Sequence, residues 1–344
     1  MRILVLHTQV PFTRGGAEVL SEGLVAALRE RGHDAEIVAL PLQWNPPDKL
    51  IATALAWRML DLTSFNGKVV DAVVCTKFPT WAVRHPNKVL WLVHQHRQAY
   101  DLYGTIHSEF GPTAEDQALR ESVYEIDGRG IGECRRRFAI SQNVANRLRS
   151  FNGIDAQPLY PPVEDRDLWP ERYDSFILSA TRLDALKRVD ALIEAWPGVD
   201  PSLKLTITSD GPLRAELERR ARELEIDDRV EFLGMVSDEC LSELVRSCRA
   251  VYYAPIDEDY GYAAVEALTA CKPVITAADS GGVLEFVTDG ESGVVTSLDP
   301  EPLARAINSY ADAEVARRHG EAGRRATDEI GWDAVIASLF GPEA

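Results

Sequence analysis

Residues 254–276, A-P-I-D-E-D-Y-G-Y-A-A-V-E-A-L-T-A-C-K-P-V-I-T, constrain the fold more than any other stretch of the chain. An apolar run closing at Pro255 reads as a buried strand, and Lys272-Pro273 stops a helix ahead of a second strand at 274–276. Between them the spacing predicts a loop that opens a helix near Gly261. A glycine at such a mouth lets backbone approach a ligand. The first turn of the helix presents N–H groups without intrahelical partners, which together suit an anion. Glu258 and Glu266 bracket this mouth. Glu266 falls in the second turn between Ala263 and Ala270, small residues that let a ligand press close, while Val265 and Leu268 turn to the core. Two carboxylates in a strand-loop-helix unit also suit plain capping or a solvated surface, so the rest of the chain has to decide.

At 344 residues and 45% hydrophobic content, the chain is long enough for two domains, each with its own core. A net charge of -17 argues against a nucleic-acid partner, which would demand cations rather than supply more anions. An anionic ligand therefore needs a local basic pocket. The five cysteines, at 75, 134, 240, 248 and 271, lack metal or redox spacing and read as reduced thiols, which points to the cytoplasm. No apolar run is long enough to span a bilayer, and M-R-I-L-V-L reads as a buried strand rather than a signal peptide. The apolar segment 50–62 reads as a core helix, with peripheral contact at the inner face of the membrane as the competing expectation. The run Arg135-Arg136-Arg137 reads as a solvated face.

Strand and helix signals alternate along the chain. The first strand ends at His7, and a loop delivers Gly15-Gly16 to a helix whose Leu20, Leu24, Ala27 and Leu28 share one face. Such a glycine pair offers N–H groups to a phosphate, although it also serves turn geometry alone. Further strands are expected at 35–40, 70–75, 88–93 and 138–140, the pattern of a doubly wound sheet. The strand at 88–93 runs into His94, His96, Arg97 and Asp101, at the sheet end where ligands bind. Prolines across 158–170 mark a linker, and the alternation restarts at 175–180. Arg182 and Lys187 at that strand's end form the local basic pocket: Arg182 can fork onto phosphate oxygens and Lys187 adds a compact charge. Past a strand at 204–208, Gly211 turns the chain ahead of Pro212.

The string P-x-x-E-D-Y-G-x-x-x-x-E-A-L followed by K-P-V-I-T resembles the paired-glutamate signature of retaining glycosyltransferases of the GT-B fold, in the large family numbered four. G-G-A-E, the His94 segment, F-A-I-S-Q-N-V-A-N-R-L, R-L-x-x-x-K, S-D-G-P, R-V-E-F-L-G and D-S-G-G resemble the family's motifs in order over nearly the whole chain. Arg188 stands where the family commonly has glycine, and is expected to add a phosphate contact.

The resemblance implies two Rossmann-like doubly wound domains facing each other across a cleft: an acceptor-side domain at 1–163 and a nucleotide-sugar domain at 164–326. By the same resemblance, a terminal helix at 327–344 is expected to cross back to the first domain. It further implies a metal-independent, retaining hexosyltransferase of polysaccharide biosynthesis, without cofactor. An enzyme of this kind is expected to move a sugar from a UDP- or GDP-linked donor to a hydroxyl acceptor such as a glycan, a lipid-linked sugar or a small molecule. Glu258, Arg182, Lys187 and His94 are the expected catalytic residues. Gly15, Gly16, Gly211, Tyr260, Gly261, Tyr262 and Glu266 join Arg182, Lys187 and Glu258 around the donor, with Glu266 on the ribose and Glu258 on the sugar. His96, Arg97 and Asp101 lie on the acceptor side, and either His94 or His96 contacts the sugar, with His94 favoured as nearer the strand end. A sugar-nucleotide epimerase and a catalytically silent nucleotide-binding scaffold are the alternatives.

Overall fold

The computed structural model describes residues 1–46, 48–106, 108–163 and 168–341. The chain forms two compact units, Met1–Glu164 with Ile330–Ala344, and Asp165–Glu329. Residues 164–167 of the expected linker lie outside the described residues.

The first unit runs β1 (Arg2–Gln9), α1 (Gly16–Glu30), β2 (Asp34–Pro41), α2 (Lys49–Met59), a short hairpin β3 (Ser64–Phe65) and β4 (Lys68–Val69), then β5 (Ala72–Lys77), β6 (Lys88–His94), α3 (Ala114–Gly132), β7 (Arg136–Ala139), α4 (Gln142–Asn152) and β8 (Gln157–Pro158). Its main sheet is parallel in the order β2-β1-β5-β6-β7-β8. β5 is buried along its length and β6 up to His94, and both are central, which accounts for the apolar runs at 72–75 and 89–93; β2 is the edge and is mostly exposed or half-buried. α2 buries Leu50, Ala54 and Trp57 as a core helix should, yet leaves Leu55 58% and Met59 85% exposed.

The second unit repeats the plan with β9 (Phe176–Ala180), α5 (Val189–Ala195), β10 (Lys204–Thr208), α6 (Arg214–Glu223), β11 (Val230–Gly234), α7 (Asp238–Ser247), β12 (Ala250–Tyr252), α8 (Tyr262–Thr269), β13 (Val274–Ala277), β14 (Gly293–Thr296), α9 (Pro300–Asn308) and α10 (Ala313–Arg325). The sheet is parallel, ordered β11-β10-β9-β12-β13-β14. The chain therefore winds to one side from β9 and returns to the other side from β12. The crevice outside the carboxyl ends of these two strands is the topological switch point, where open α/β sheets bind ligands. Ile177, Leu192, Leu205, Ile207, Leu303 and Ile307 form the core beneath it, each fully buried. Side chains of that size contribute about 1.5–3 kcal/mol apiece on burial.

The last helix, α11 (Trp332–Phe340), belongs to the first unit. Trp332 packs edge-on to Trp91 with ring centroids 6.2 Å apart and lies over Gly23 of α1, while Arg31 pairs with Asp333 at 2.6 Å.

Candidate functional site

Residues 181–188 leave the end of β9 and form one rim of the switch point in the second unit. Asp184 caps a single 3-10 turn, its Oδ1 accepting from Leu186 N at 3.1 Å. Two backbone bonds stitch this loop to residues 210–213: Leu183 N to Asp210 O at 3.1 Å and Leu213 N to Leu183 O at 3.0 Å. A Cβ on Gly211 would collide with the Leu183 carbonyl, so a side chain there would force the two loops apart. Gly211 thus shapes the rim. Arg182 points outward, 63% exposed, with only a loose 3.9 Å approach to Asp184.

The loop after β12 forms the other rim. Gly261 caps α8 with φ 93, and a Cβ there would lie 2.8 Å from Val283 Cγ2 and 3.3 Å from Tyr253 Cε1. Both the dihedral and the crowding require glycine. Glu258 extends from this loop to meet the opposite rim: its Oε2 accepts from the Lys187 ammonium and from the Tyr253 hydroxyl, the latter at 3.0 Å. Lys187 Nζ also donates to the Tyr253 oxygen at 3.2 Å. Burial alone would lower the Lys187 pKa, but Tyr253 and Glu258 outweigh it and hold the amine well above its ordinary value. Burial, then Glu258, pushes the Tyr253 phenol up. Lysine, tyrosine and glutamate therefore form one compact, charge-balanced constellation, a fifth exposed at Lys187 and Glu258.

Other expected residues fall around it. Glu266 is half-buried in the second turn of α8, with Val265 and Leu268 buried; Ala263 is half-buried, and Ala270 is the buried helix cap. Tyr260 is 2% exposed and packs edge-on to Tyr262 and Phe286, so it supports the loop from inside. Arg188 departs from the phosphate contact expected of it. Its guanidinium donates to the Ala254 and Pro255 carbonyls and forks onto Asp279, so it is committed within the protein.

In the first unit, Gly15 caps α1 in extended conformation, and Gly16 opens the helix. The Gly15 N–H donates to Glu18 Oε2 at 2.9 Å, half of a capping box. The same carboxylate accepts from Lys77 Nζ and pairs with His7 Nε2, both at 2.9 Å, and His7 Nδ1 meets Ser21 Oγ at 3.0 Å. Burial raises the Glu18 pKa, but His7 and Lys77 overcome this and hold it at about 2. This buried network sits where β1 and β5 diverge.

His94 ends β6 half-buried, its Nδ1 2.7 Å from the Gln95 carbonyl. His96 packs between the Phe78 and Phe110 rings, and burial, then His94, lowers its pKa to about 4, so it is neutral at pH 7. Arg97 forks onto Asp101 at 2.8 and 2.6 Å, an ion pair joined by Arg147 at 3.5 Å. The second unit's loops thus bring Arg182, Lys187, Gly211, Glu258 and Gly261 to one switch point. Gly15, Gly16, His94, His96, Arg97 and Asp101 belong to the first unit.

Sequence reasoning missed Tyr253, the Glu18 network and the Arg188–Asp279 pair. The spacing G-x-x-E at a helix start and the polar His7 and Lys77 in apolar strands were the available signals for the second. Among the described residues no cluster of three or more His, Cys, Asp or Glu could hold a metal ion, and no helix is long and apolar enough to cross a membrane.

Residues 165–326 match the family model described as Glycosyl transferases group 1. The match spans nearly the whole of the second unit. The matched residues include the whole Lys187–Tyr253–Glu258 constellation. The chain is 33% identical over 175 residues to D-inositol 3-phosphate glycosyltransferase of Streptomyces griseus, covering 47% of this chain and 37% of that protein. It is 30% identical over 197 residues to the GDP-mannose-dependent alpha-(1-6)-phosphatidylinositol dimannoside mannosyltransferase of Mycobacterium tuberculosis, covering 55% and 49%. The chain thus matches between about a third and a half of the length of these curated relatives. Among solved structures, Anabaena HepE in complex with UDP and glucose superposes with a TM-score of 0.73 at 17% identity, covering 98% of this chain and 97% of that one. Likenesses of this kind establish the GT-B fold, with two Rossmann-like parallel-sheet domains.

Proposed function

We propose that the chain is a retaining, metal-independent glycosyltransferase that moves a sugar from a nucleoside diphosphate to a hydroxyl acceptor, with the donor held by the second unit. The observation that carries this reading is the Lys187–Tyr253–Glu258 constellation at the switch point, with exposed Arg182 on the same rim. A diphosphate brought there meets two cations and the N-terminus of α8, all of which favour negative charge. Glu258 accepts from sugar hydroxyls, and Glu266 from the ribose diol. The bond from the anomeric carbon to the phosphate oxygen breaks with its electron pair passing to the diphosphate. The acceptor oxygen bonds to the same face of that carbon, and its proton passes to a phosphate oxygen. Lys187 and Arg182 offset the charge that accumulates on the departing group, the role a metal ion fills elsewhere. The base stays open between the two relatives' chemistries, UDP with HepE and GDP-mannose with the mycobacterial protein.

The test is nucleoside diphosphate release from a panel of UDP- and GDP-sugars in excess chelator. Free diphosphate with a glycosylated or hydrolysed sugar is expected. Conversion to a different sugar nucleotide would mark an epimerase, binding without turnover a scaffold, and activity only with added metal would refute metal independence.

A further inference from the structure

Arg188 occupies a backbone position that costs an arginine energy: φ 52, ψ 39, the left-handed region that glycine enters freely. Its side chain makes four hydrogen bonds in return. Nε donates to Ala254 O at 2.7 Å and Nη2 to Pro255 O at 2.9 Å; Nη1 and Nη2 reach the two oxygens of Asp279 at 2.8 and 2.7 Å. Its own carbonyl accepts from the Tyr252 hydroxyl at 2.8 Å. Three segments meet at this one residue: the 181–188 rim, the 253–261 loop, and the turn after β13.

The same three segments are cross-tied by backbone. Ile256 N donates to Leu186 O at 2.9 Å, Asp257 N to Asp279 O at 2.8 Å, and Gly282 N to Glu258 O at 2.8 Å. Asp257 holds φ 42, a second left-handed residue in the loop that presents Glu258. Lys187 precedes Arg188 directly, and Glu258 follows its acceptor Pro255 by three residues. The fork therefore lies behind both members of the facing pair, joined to each through a short, strained piece of backbone.

We propose that Arg188 and Asp279 form a latch that positions Lys187 against Glu258, so that the reacting end of the donor meets a preset cation and carboxylate. This rests on the donor-site reading above and extends it to a pair that touches no ligand. Asp279 is the electrostatic half of the latch: the Arg188 fork depresses its pKa, keeping it ionised. A lysine at 188 would keep the charge but could not span two carbonyls and a carboxylate, because one ammonium lacks the planar fork.

Arg188→Gly, Arg188→Lys, Asp279→Asn and Arg188→Gly/Asp279→Asn test the latch by two readouts. The first is turnover of a sugar nucleotide beside affinity for the corresponding nucleoside monophosphate. Arg188→Gly is expected to lower kcat by about tenfold or more while the monophosphate Kd moves less than about twofold, since misplacement acts on the reacting end. Asp279→Asn should fall between this variant and the parent, and the double variant should be no worse than Arg188→Gly, as members of one unit do not add. The second readout needs no activity: the acylation rate of the Lys187 amine by an N-hydroxysuccinimide ester, measured by peptide mass spectrometry. It should rise by roughly threefold or more in Arg188→Gly as the amine loses its fixed partner. Wild-type turnover in Arg188→Lys would overturn the fork. Equal losses in kcat, monophosphate affinity and Tm would reduce the pair to a structural one. An unchanged Lys187 acylation rate would overturn the latch whether or not the chain proves to be a transferase, whereas a parent protein that turns over no sugar nucleotide but shows the faster acylation in the variant defeats the proposed function and leaves the latch standing.

Discussion

Truncating Lys187 to alanine is the most informative single change to the site. The amine donates to both Glu258 and Tyr253, so its loss acts twice. A departing diphosphate loses a cation: at about 4 Å and an effective dielectric near 20, two unit charges attract by about 4 kcal/mol, and desolvation takes back part of that. Removal of one such transition-state donor typically costs about 2.7–4 kcal/mol, or on the order of 10²–10³ in kcat. Glu258 meanwhile keeps the Tyr253 hydroxyl at 3.0 Å but loses the Lys187 charge, and its own charge now opposes the incoming phosphates. The folding penalty is smaller, about 1–3 kcal/mol for a carboxylate that keeps the Tyr253 hydroxyl and stays partly solvated. A coupled assay of nucleoside diphosphate release at saturating donor, run beside a melting curve, separates the two effects. Lys187→Ala should fall by about a hundredfold or more in kcat. Adding Glu258→Gln should restore part of the nucleotide affinity, by removing the stranded charge, but none of the turnover. A Lys187→Ala protein that folds normally and turns over within about threefold of the parent would refute the assignment, because no transition-state donor of this kind is lost so cheaply.

Glu266→Gln should weaken ribonucleotide binding and narrow the preference over the 2′-deoxy analogue, read by titration calorimetry; unchanged discrimination places Glu266 away from the ribose. Gly261→Ala should destabilise by about 1–3 kcal/mol, since it forces a Cβ at φ 93 to within 2.8 Å of Val283, and an unshifted Tm would show that the loop relaxes freely. The Glu18 pKa is lowered from 4.5 to about 2 in the folded protein, so its contribution is present above the unfolded pKa and fades as pH falls toward 2. Acid titration of stability should therefore flatten in Glu18→Gln over that window, and a superimposable pH profile for the variant would dissolve the network's role.

Most of the architecture was legible because both sheets obey strong periodicities. The strand at 88–93 appeared as an apolar run at its observed place, since central parallel strands are buried on both faces, and the strand at 204–208 appeared as an alternating K-L-T-I-T at its own. Short edge pieces such as Gln157–Pro158 and Ser64–Phe65 were not legible, because two residues carry no period. Lys187 and Glu258 could be named from their motifs, but their meeting could not, as 71 residues separate them and only the winding from β9 to β12 brings the two loops together. Tyr253 read as one more residue of an apolar strand, and nothing in its neighbours announced that its hydroxyl completes the constellation. Arg188 misled for a different reason: a cation beside a lysine expected to bind phosphate invites a second phosphate contact. Only the positions of the Ala254 and Pro255 carbonyls and of Asp279 show that its donors are already used.

The central claim, that the proposed donor site of the second unit activates a sugar nucleotide for transfer with retention, is tested most directly by a proton NMR time course of the parent protein with a sugar nucleotide it binds, in chelator. The donor's anomeric signal should decay with matching growth of free nucleoside diphosphate and of a new anomeric signal of the same configuration. A product signal of inverted configuration, or decay into a different intact sugar nucleotide, would contradict it.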